Sequence, residues 1–597
     1  MAASPDRTAF ASHDQRLAPF LISLAEVANS VADHPFGVIT GRWWRAELRP
    51  FDARVQEYSA VLVWFLTQDR PWNPYRGDPA LRARTAAALQ RYLILQHPSG
   101  AWPEYAAEQH SRSATGFAME SLTASLARLL AAGELPELQA PIAAAVRRAM
   151  DWYLSPANTE VWWPGYTPIA NQPTGALSGA LAFLILVADG PFAEPADDDR
   201  RARVAERIDH LLATSQSPAG FFHEPTGSDL GYSFRVMLPR LAELADHGVE
   251  GRLLPAVTAF VAWYGRQAVL EPDGRHFILN VAGNARTSGP VHSITGQPAR
   301  PEDRVVGLAS GVPELAAFVT AAEPQDAFHR RWASESAPIP PIGAGTSPGL
   351  IETLDGTNRP TEQDQLAALR RLPYLADDHW TELRSDGARQ HFWFLRRTGY
   401  YLCATFGLRA SPLVRTGPGL LWHPQLGTVV HGRNGDSPLL WSTILPAHGA
   451  ITADRDAFGQ FFDGEPPDSR LLTDPAEAAG SIGLRLHDGE NLVQTDWVCR
   501  ESMITATAYA AEPLTQRIPL LLRHDQVMEL TDTSVAITAP SVPGASFRIG
   551  WDPRLRVELG EAEEGPYAGA HYQPLLLSQG EQGPLKVHYI STIGAQS

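Results

Sequence analysis

The sequence predicts a multidomain α+β chain: an N-terminal (α/α) toroid of helical hairpins, then a C-terminal antiparallel β-sandwich. Three observations carry this expectation. The first half has helical periodicity, it repeats an aromatic Gly/Pro-rich turn, and beyond a Pro/Gly-rich stretch at 337–348 the pattern changes to strands. A length of 597 residues also exceeds what one core sustains, so two or more domains are expected.

The segments 85–95, 118–132, 142–154, 175–188 and 203–214 combine helical spacing of apolar residues with helix-forming composition. The turns between them recur. Gln96-His97-Pro98-Ser99-Gly100-Ala101-Trp102-Pro103-Glu104 matches Gln216-Ser217-Pro218-Ala219-Gly220-Phe221-Phe222-His223-Glu224 at its Gln, Pro, Gly, aromatic and Glu positions. Val161-Trp162-Trp163-Pro164-Gly165 sits halfway between, Gly41-Arg42-Trp43-Trp44 one step earlier and Ala282-Gly283-Asn284 one step later. A step of about 60 residues suits one hairpin with its loops, and about five or six stacked hairpins close into a ring. Trp102, Trp162, Trp163 and Phe222 should then gather at one end of that ring. Such a cleft suits sugars, whose apolar faces stack on aromatic rings; each ring taken singly would serve equally well as packing.

The chain accordingly divides into a helical domain at 1–338, a linker at 339–350 and a β-domain at 351–597. After a polar, helical segment at 361–372, the runs 391–395, 400–406, 427–430 and 527–530 are β-rich and separated by turns. Strands without intervening helices imply a mostly antiparallel sandwich.

Composition excludes several classes. With 44% hydrophobic and 19% charged residues the chain is globular. A formal net charge of −17 argues against nucleic-acid binding, and any acidic ligand would need local arginines. No apolar run is long enough to span a bilayer, so no membrane partner is expected. The N-terminus lacks a signal-peptide pattern, which points to the cytoplasm unless a leader has been removed. The two cysteines, Cys403 and Cys499, exclude a disulfide framework and a cysteine zinc site, leaving one disulfide in the second half open. No P-loop, dinucleotide fingerprint, nucleophile elbow or HExxH motif occurs.

Four short constellations carry chemistry. In Gly227-Ser228-Asp229-Leu230-Gly231-Tyr232-Ser233-Phe234-Arg235, Asp229 can cap a helix while Tyr232 and Arg235 share a face; a cation beside a tyrosine suits acid/base work. Asn171 and Gln172 precede an apolar helix, where Asn171 can offer its amide to a carboxyl group. Arg286 and His292 lie in a polar loop at the next repeat. His423 and His431 flank a turn, but two histidines are too few for a metal site, leaving at most a structural zinc or calcium in the β-domain. Each has a plain structural reading beside the functional one: a cap, a turn, a surface loop.

The order of elements resembles the heparinase II/III-like and alginate lyase group of polysaccharide lyases, a helical toroid followed by a β-sandwich. In that group an Asn-His pair opens an inner helix, and a Tyr follows about one hairpin later in a Gly-x-Asp-x-Gly-Tyr type of segment. Asn171 matches the Asn, Tyr232 within Ser228–Tyr232 matches the Tyr, and 417–432 looks like the start of the sandwich. Gln172 stands where those lyases often carry His, so His223, His292 or Tyr232 alone would take over its work. The resemblance implies β-elimination next to a uronic acid, with Asn171 and an arginine neutralising the carboxylate and Tyr232 moving protons, on a uronate-containing carbohydrate and without a cofactor. A glycoside hydrolase using Glu104, Glu224 or Asp229, an epimerase, and a carbohydrate-binding protein are the alternatives.

Overall fold

The structure, a computed structural model, describes residues 5–33, 37–39, 49–155, 169–225, 227–286, 289–294, 308, 311–343, 346–349, 351, 359–387, 389–435, 437–466 and 468–595. They form two compact units, each assembled from separated stretches. Met1–Ser215, Phe234–Val257 and Gly296–Gln365 make the first; Gln216–Ser233, Thr258–Thr295 and Leu366–Ser597 make the second. An N-terminal helical region of toroid type is followed by C-terminal antiparallel β-structure, as the sequence pattern predicts.

The first unit contains α1 (Ala18–Asp33), α2 (Ser59–Thr67), α3 (Pro79–Ile94), α4 (Arg112–Ala132), α5 (Pro136–Tyr153), α6 (Asn171–Val187) and α7 (Asp197–Thr214). From α3 onward each starts about one to two turns before its apolar period becomes visible. The opening turns are polar or begin with proline, and in α3 and α4 a side-chain cap fixes the start. The Asp78 carboxylate accepts from Leu81 N–H at 2.7 Å ahead of Pro79, and Ser111 Oγ accepts from Ala114 N–H at 3.1 Å. Helix α6 is buried nearly all round. Its Gly179 lets α4 approach so closely that a Cβ there would stand 2.5 Å from the Glu120 amide nitrogen. No helix among the described residues is long and apolar enough to cross a membrane.

The repeated turn is a physical unit. In one copy His97 N–H donates to Ala101 O at 2.8 Å, Gly100 N–H to His97 O at 2.9 Å, and the Gln96 amide to Gly100 O at 2.9 Å. In the other, Ser217, Gly220 and Gln216 make the same three bonds at 2.8 Å. Both glycines have positive φ, 101° and 113°, and a Cβ would collide with the carbonyl oxygen of Arg148 in the first copy and of Ala259 in the second. Gly37, with φ 73° and Ala87 in the same role, is the equivalent glycine of the preceding hairpin. The motif Gly41–Trp44 lies outside the described residues, as do Trp162 and Trp163.

The stretch expected as a linker is bonded to the first unit. Ile342 N–H donates to Ser23 Oγ at 2.9 Å and the Tyr58 hydroxyl to Thr346 O at 2.6 Å. Just before it, Trp332 of helix Gln325–Ser334 meets Phe10 edge-on at 5.1 Å, and Phe10 stacks on Trp72 at 4.4 Å. The beginning and end of the helical region therefore meet.

In the second unit β1 (Ala268–Leu270), β2 (His276–Leu279) and β3 (Val291–Ser293) form a small antiparallel sheet. Then β4 (Trp380–Asp386), β5 (Gln390–Arg397), β6 (Tyr400–Gly407), β7 (Gly417–His423) and β8 (Gly427–His431) pair in sequence. After β9 (Ser442–Leu445) come β10 (Ala457–Asp463), β11 (Ile482–Asp488), β12 (Val493–Cys499) and β13 (Met503–Ala510), also paired in sequence. Strand β14 (Thr515–Arg523) pairs with β15 (Ala570–Ser578), and β16 (Leu585–Thr592) closes on β13; all these pairings are antiparallel. Alternate side chains, among them Trp393, Phe461, Leu484, Trp497, Ile518 and Leu575, fill one core.

The cysteines and the two histidines singled out in the sequence all lie inside this unit. Cys403 and Cys499 are buried and unbridged, so the disulfide left open is not formed; burial pushes both thiols up, Cys499 to about 12. His423 Nδ1 accepts from the N–H groups of Gln425 and Leu426 at 3.1 Å, and its Nε2 faces Thr592 O at 3.1 Å. His431 faces the Tyr572 hydroxyl at 2.7 Å and Leu279 O at 2.9 Å. Each histidine is occupied by its own partners. Among the described residues no group of three or more His, Cys, Asp or Glu is placed to hold a metal.

One buried acid stands out. Glu271, directly after β1, accepts Thr428 N–H at 2.9 Å, the Thr428 hydroxyl at 2.6 Å and the Tyr567 hydroxyl at 3.2 Å. Burial pushes its carboxyl up to about 7, against the pull of these donors and of Arg523.

Candidate functional site

The most developed constellation assembles in the second unit, on the stretch 216–233 and the loop after β2. Beyond the Gly220 turn, Glu224 N–H donates to Gly227 O at 2.7 Å. Ser228 forms a parallel bridge with Asn284, and Ala285 N–H donates to Ser228 O at 2.7 Å. Asn284 Oδ1 accepts from Leu230 N–H at 3.3 Å across 54 residues of chain. That bridge delivers Arg286 to the segment bearing Tyr232.

Asp229 is buried and accepts Tyr232 N–H at 2.9 Å, capping the turn Leu230–Tyr232. A π-helical turn, Ser233–Met237, follows; such turns are rare and concentrate at functional sites. The Arg286 guanidinium carbon lies 4.3 Å from the centroid of the half-buried Tyr232 ring. Its Nη1 is 3.3 Å from Glu224 Oε2; the glutamate side chain is fully buried and 39% of the arginine side chain remains exposed. The buried carboxylate is thus compensated by a cation that the same contact holds against one face of the phenol.

His223 adjoins this pair in sequence and is buried, its ring 5.3 Å edge-on from Phe221. Burial lowers the imidazole to about 4; Asp386 opposes and Arg389 reinforces that effect. At neutral pH it is uncharged, and burial disfavours its taking a proton.

In the first unit Asn171 is the first residue of α6 and buried, with Gln172 half-buried after it. Arg235 is exposed on the π-turn. Sequence spacing pairs Tyr232 with Arg235; the guanidinium on its ring face is that of Arg286.

Several sequence-picked residues are structural instead. Trp102 is 0% exposed, edge-on to Tyr92 at 5.7 Å, with its indole N–H donating to Tyr92 O at 2.9 Å; Phe222 is equally buried. These rings follow the tight glycine and turn into the core, so they are packing and not sugar platforms. Glu104 is buried, accepts the Ser111 hydroxyl at 2.6 Å and lies 3.9 Å from Arg54. His292 sits in β3 with the Tyr264 hydroxyl 3.1 Å from Nδ1, a core histidine.

Sequence reasoning missed one cluster in the first unit. Arg54 and Arg240 approach the Phe117 ring at 3.9 and 4.8 Å around a 30 Å³ cavity, paired with Glu57 and Glu120 respectively. Arg54 and Glu57, three apart, were the only local signal of it.

No family model matches the chain, and no curated protein matches it in sequence. Solved structures do resemble it. A heparan sulfate lyase of Pedobacter heparinus aligns over 100% of this chain and 87% of its own at 9% identity, with a TM-score of 0.51. A heparinase III gene product aligns over 95% and 84% at 7% identity, also at 0.51. A chondroitin AC lyase of Streptomyces coelicolor A3 aligns over 100% and 83% at 15% identity, at 0.49. At 7–9% identity the likeness shows the fold: the helical region followed by antiparallel β-structure is the architecture of heparinase-type polysaccharide lyases.

Proposed function

We propose that the chain is a polysaccharide lyase that cleaves a glycosidic bond next to a uronic acid by β-elimination. The observation that carries the proposal is Tyr232, fixed by the Asp229 cap, with Arg286 on its ring face and Glu224 buried behind that arginine. The fold shared with a heparan sulfate lyase supports the reaction class by analogy.

In the proposed step a base removes the C5 proton of the uronate. Its electron pair forms the C4–C5 double bond, the bond from C4 to the bridging oxygen breaks, and an acid protonates the departing oxygen. Tyr232 serves as that acid/base, since a phenol both takes and returns a proton. Asn171, at the electropositive start of α6, neutralises the carboxylate so that negative charge can build there in the transition state. Arg286 supplies the local cation that a net charge of −17 denies to the surface as a whole. Gln172 cannot move a proton, so in this proposal Tyr232 carries both proton transfers, and His223, which burial keeps uncharged, has no assigned step. This chemistry needs no cofactor.

The hydrolase alternative loses its carboxylates. Glu104 and Glu224 are both buried and engaged with Arg54 and Arg286, and Asp229 is buried as the cap of Leu230–Tyr232. The test is an ultraviolet absorbance screen across uronate-containing polymers. An unsaturated uronate product supports the lyase, whereas reducing ends without absorbance would move the chain to the hydrolases.

A further inference from the structure

The outer face of the β10–β13 sheet carries a feature that elimination chemistry does not use. Register places Phe458, His487, Gln494 and Tyr509 in one row across four neighbouring strands. At a strand spacing of ~4.8 Å the row is about 14 Å long, the span of a short run of sugar rings. The core does not ask for aromatics there. Alternation turns Leu486, Trp497 and Ala508 inward, while Phe458 and Tyr509 remain 53% and 42% exposed.

At the Tyr509 end the row opens into a groove of about 690 Å³, within the range of small-molecule sites. Tyr509 is its flat wall, and His448, His487, Asn491, Gln494 and Glu512 supply its polar lining. Several of these groups are held in place. Asn491 has a left-handed backbone, φ 57°, in a turn tied by the Asp488 carboxylate, which accepts Glu490 N–H at 2.9 Å and Val493 N–H at 2.6 Å. The Gln494 amide donates to Asp496 at 2.9 Å, and Asp496 is bidentate to Arg485 at 2.7 Å. A rim fixed in advance loses little freedom on binding.

The lining selects the occupant by charge. It contains no Lys or Arg and one carboxylate, Glu512, and the neighbouring Arg485 is already bidentate to Asp496, so a polyanion meets no uncompensated cation there. Leu445, Ala447, Leu492, Ala510 and Ala511 complete the lining with short aliphatic side chains, three of them alanines. A neutral sugar fits both parts: its apolar ring face lies on Tyr509 and its hydroxyls meet imidazole, amide and carboxylate groups. We infer that this groove is a binding site for a neutral oligosaccharide segment, working independently of Tyr232.

The test is calorimetric titration of the full chain with cellotriose, maltotriose and xylotriose, repeated on the Tyr232→Phe protein. At least one trisaccharide should bind both proteins equally. Tyr509→Ala should weaken that binding by about tenfold or more, and Tyr509→Trp, which keeps a ring, should retain it. Gln494→Ala provides a second loss-of-binding variant should Tyr509→Ala unfold early. Elimination of short uronate substrates should be unchanged in Tyr509→Ala. No binding by any of the three sugars, or binding indifferent to both groove variants, would overturn the inference.

Discussion

Replacing Glu271 by glutamine should stabilise the protein at neutral to alkaline pH and do much less in acid. The carboxyl sits at about 7 in the folded protein against an ordinary value of 4.5, because burial disfavours its charge. With the folded value above the unfolded one, the native state keeps a proton that the unfolded chain releases. The stability owed to this group is complete below about pH 4.5, falls as pH rises through the window, and is lost above about pH 7. Integrated between pH 5 and 8, the loss is roughly 2.5 kcal/mol. Glutamine keeps an oxygen for the Thr428 N–H and hydroxyl and turns its amide toward the Tyr567 hydroxyl, so the fit is preserved while the titration disappears. Urea unfolding of both proteins at pH 5 and pH 8, followed by tryptophan fluorescence, measures the difference. The advantage of Glu271→Gln should grow by about 2.5 kcal/mol between the two pH values. A difference that stays flat within about 0.5 kcal/mol would refute the reasoning and mean that Arg523 and the three donors already hold the carboxylate charged.

Other consequences are equally accessible. Gly220→Ala should cost about 3 kcal/mol or more, because strain at φ 113° adds to the collision with Ala259 O, whereas Gly77→Ala, at φ 66° in open space, should cost only about 1 kcal/mol; equal shifts in unfolding midpoint would contradict this. Glu224→Gln keeps the shape but leaves Arg286 without its buried counter-charge, so kcat should fall by at least about tenfold with KM little changed. An enzyme with wild-type kcat would remove Glu224 from the arrangement. Asn171→Ala should lose roughly 3 kcal/mol of transition-state stabilisation, read as a drop in kcat/KM on a uronate substrate; a smaller loss than in a surface control would exclude it.

The architecture was legible because it rests on repetition. The Gln-x-Pro-x-Gly turn at 96–100 and 216–220 is written in the sequence, and the structure shows why: one glycine conformation and one helix contact recur. Following aromatics leads to Trp43 and Trp44 for the preceding copy, whereas the element that recurs in the structure is the glycine, here Gly37. The same preference misread Trp102 and Phe222, since nothing local says whether a ring after a tight turn faces a cleft or the core. Tyr232 was legible from its capped segment, but its cation was not. Spacing can see only Arg235, three residues on, while Arg286 arrives through the Ser228–Asn284 bridge from a distant loop. Helix starts were late for a related reason: caps such as Asp78 and Ser111 are single residues that leave no trace in periodicity.

The measurement that bears most directly on the proposed chemistry is the ultraviolet absorbance of reactions run with wild-type protein and with Tyr232→Phe on the same uronate-containing polymer. The substitution removes one oxygen and its transferable proton and leaves the ring under Arg286. Wild-type protein should generate unsaturated uronate while Tyr232→Phe generates none, with polymer binding nearly intact. An active Tyr232→Phe enzyme, or a wild-type reaction that yields reducing ends without absorbance, would contradict the lyase assignment.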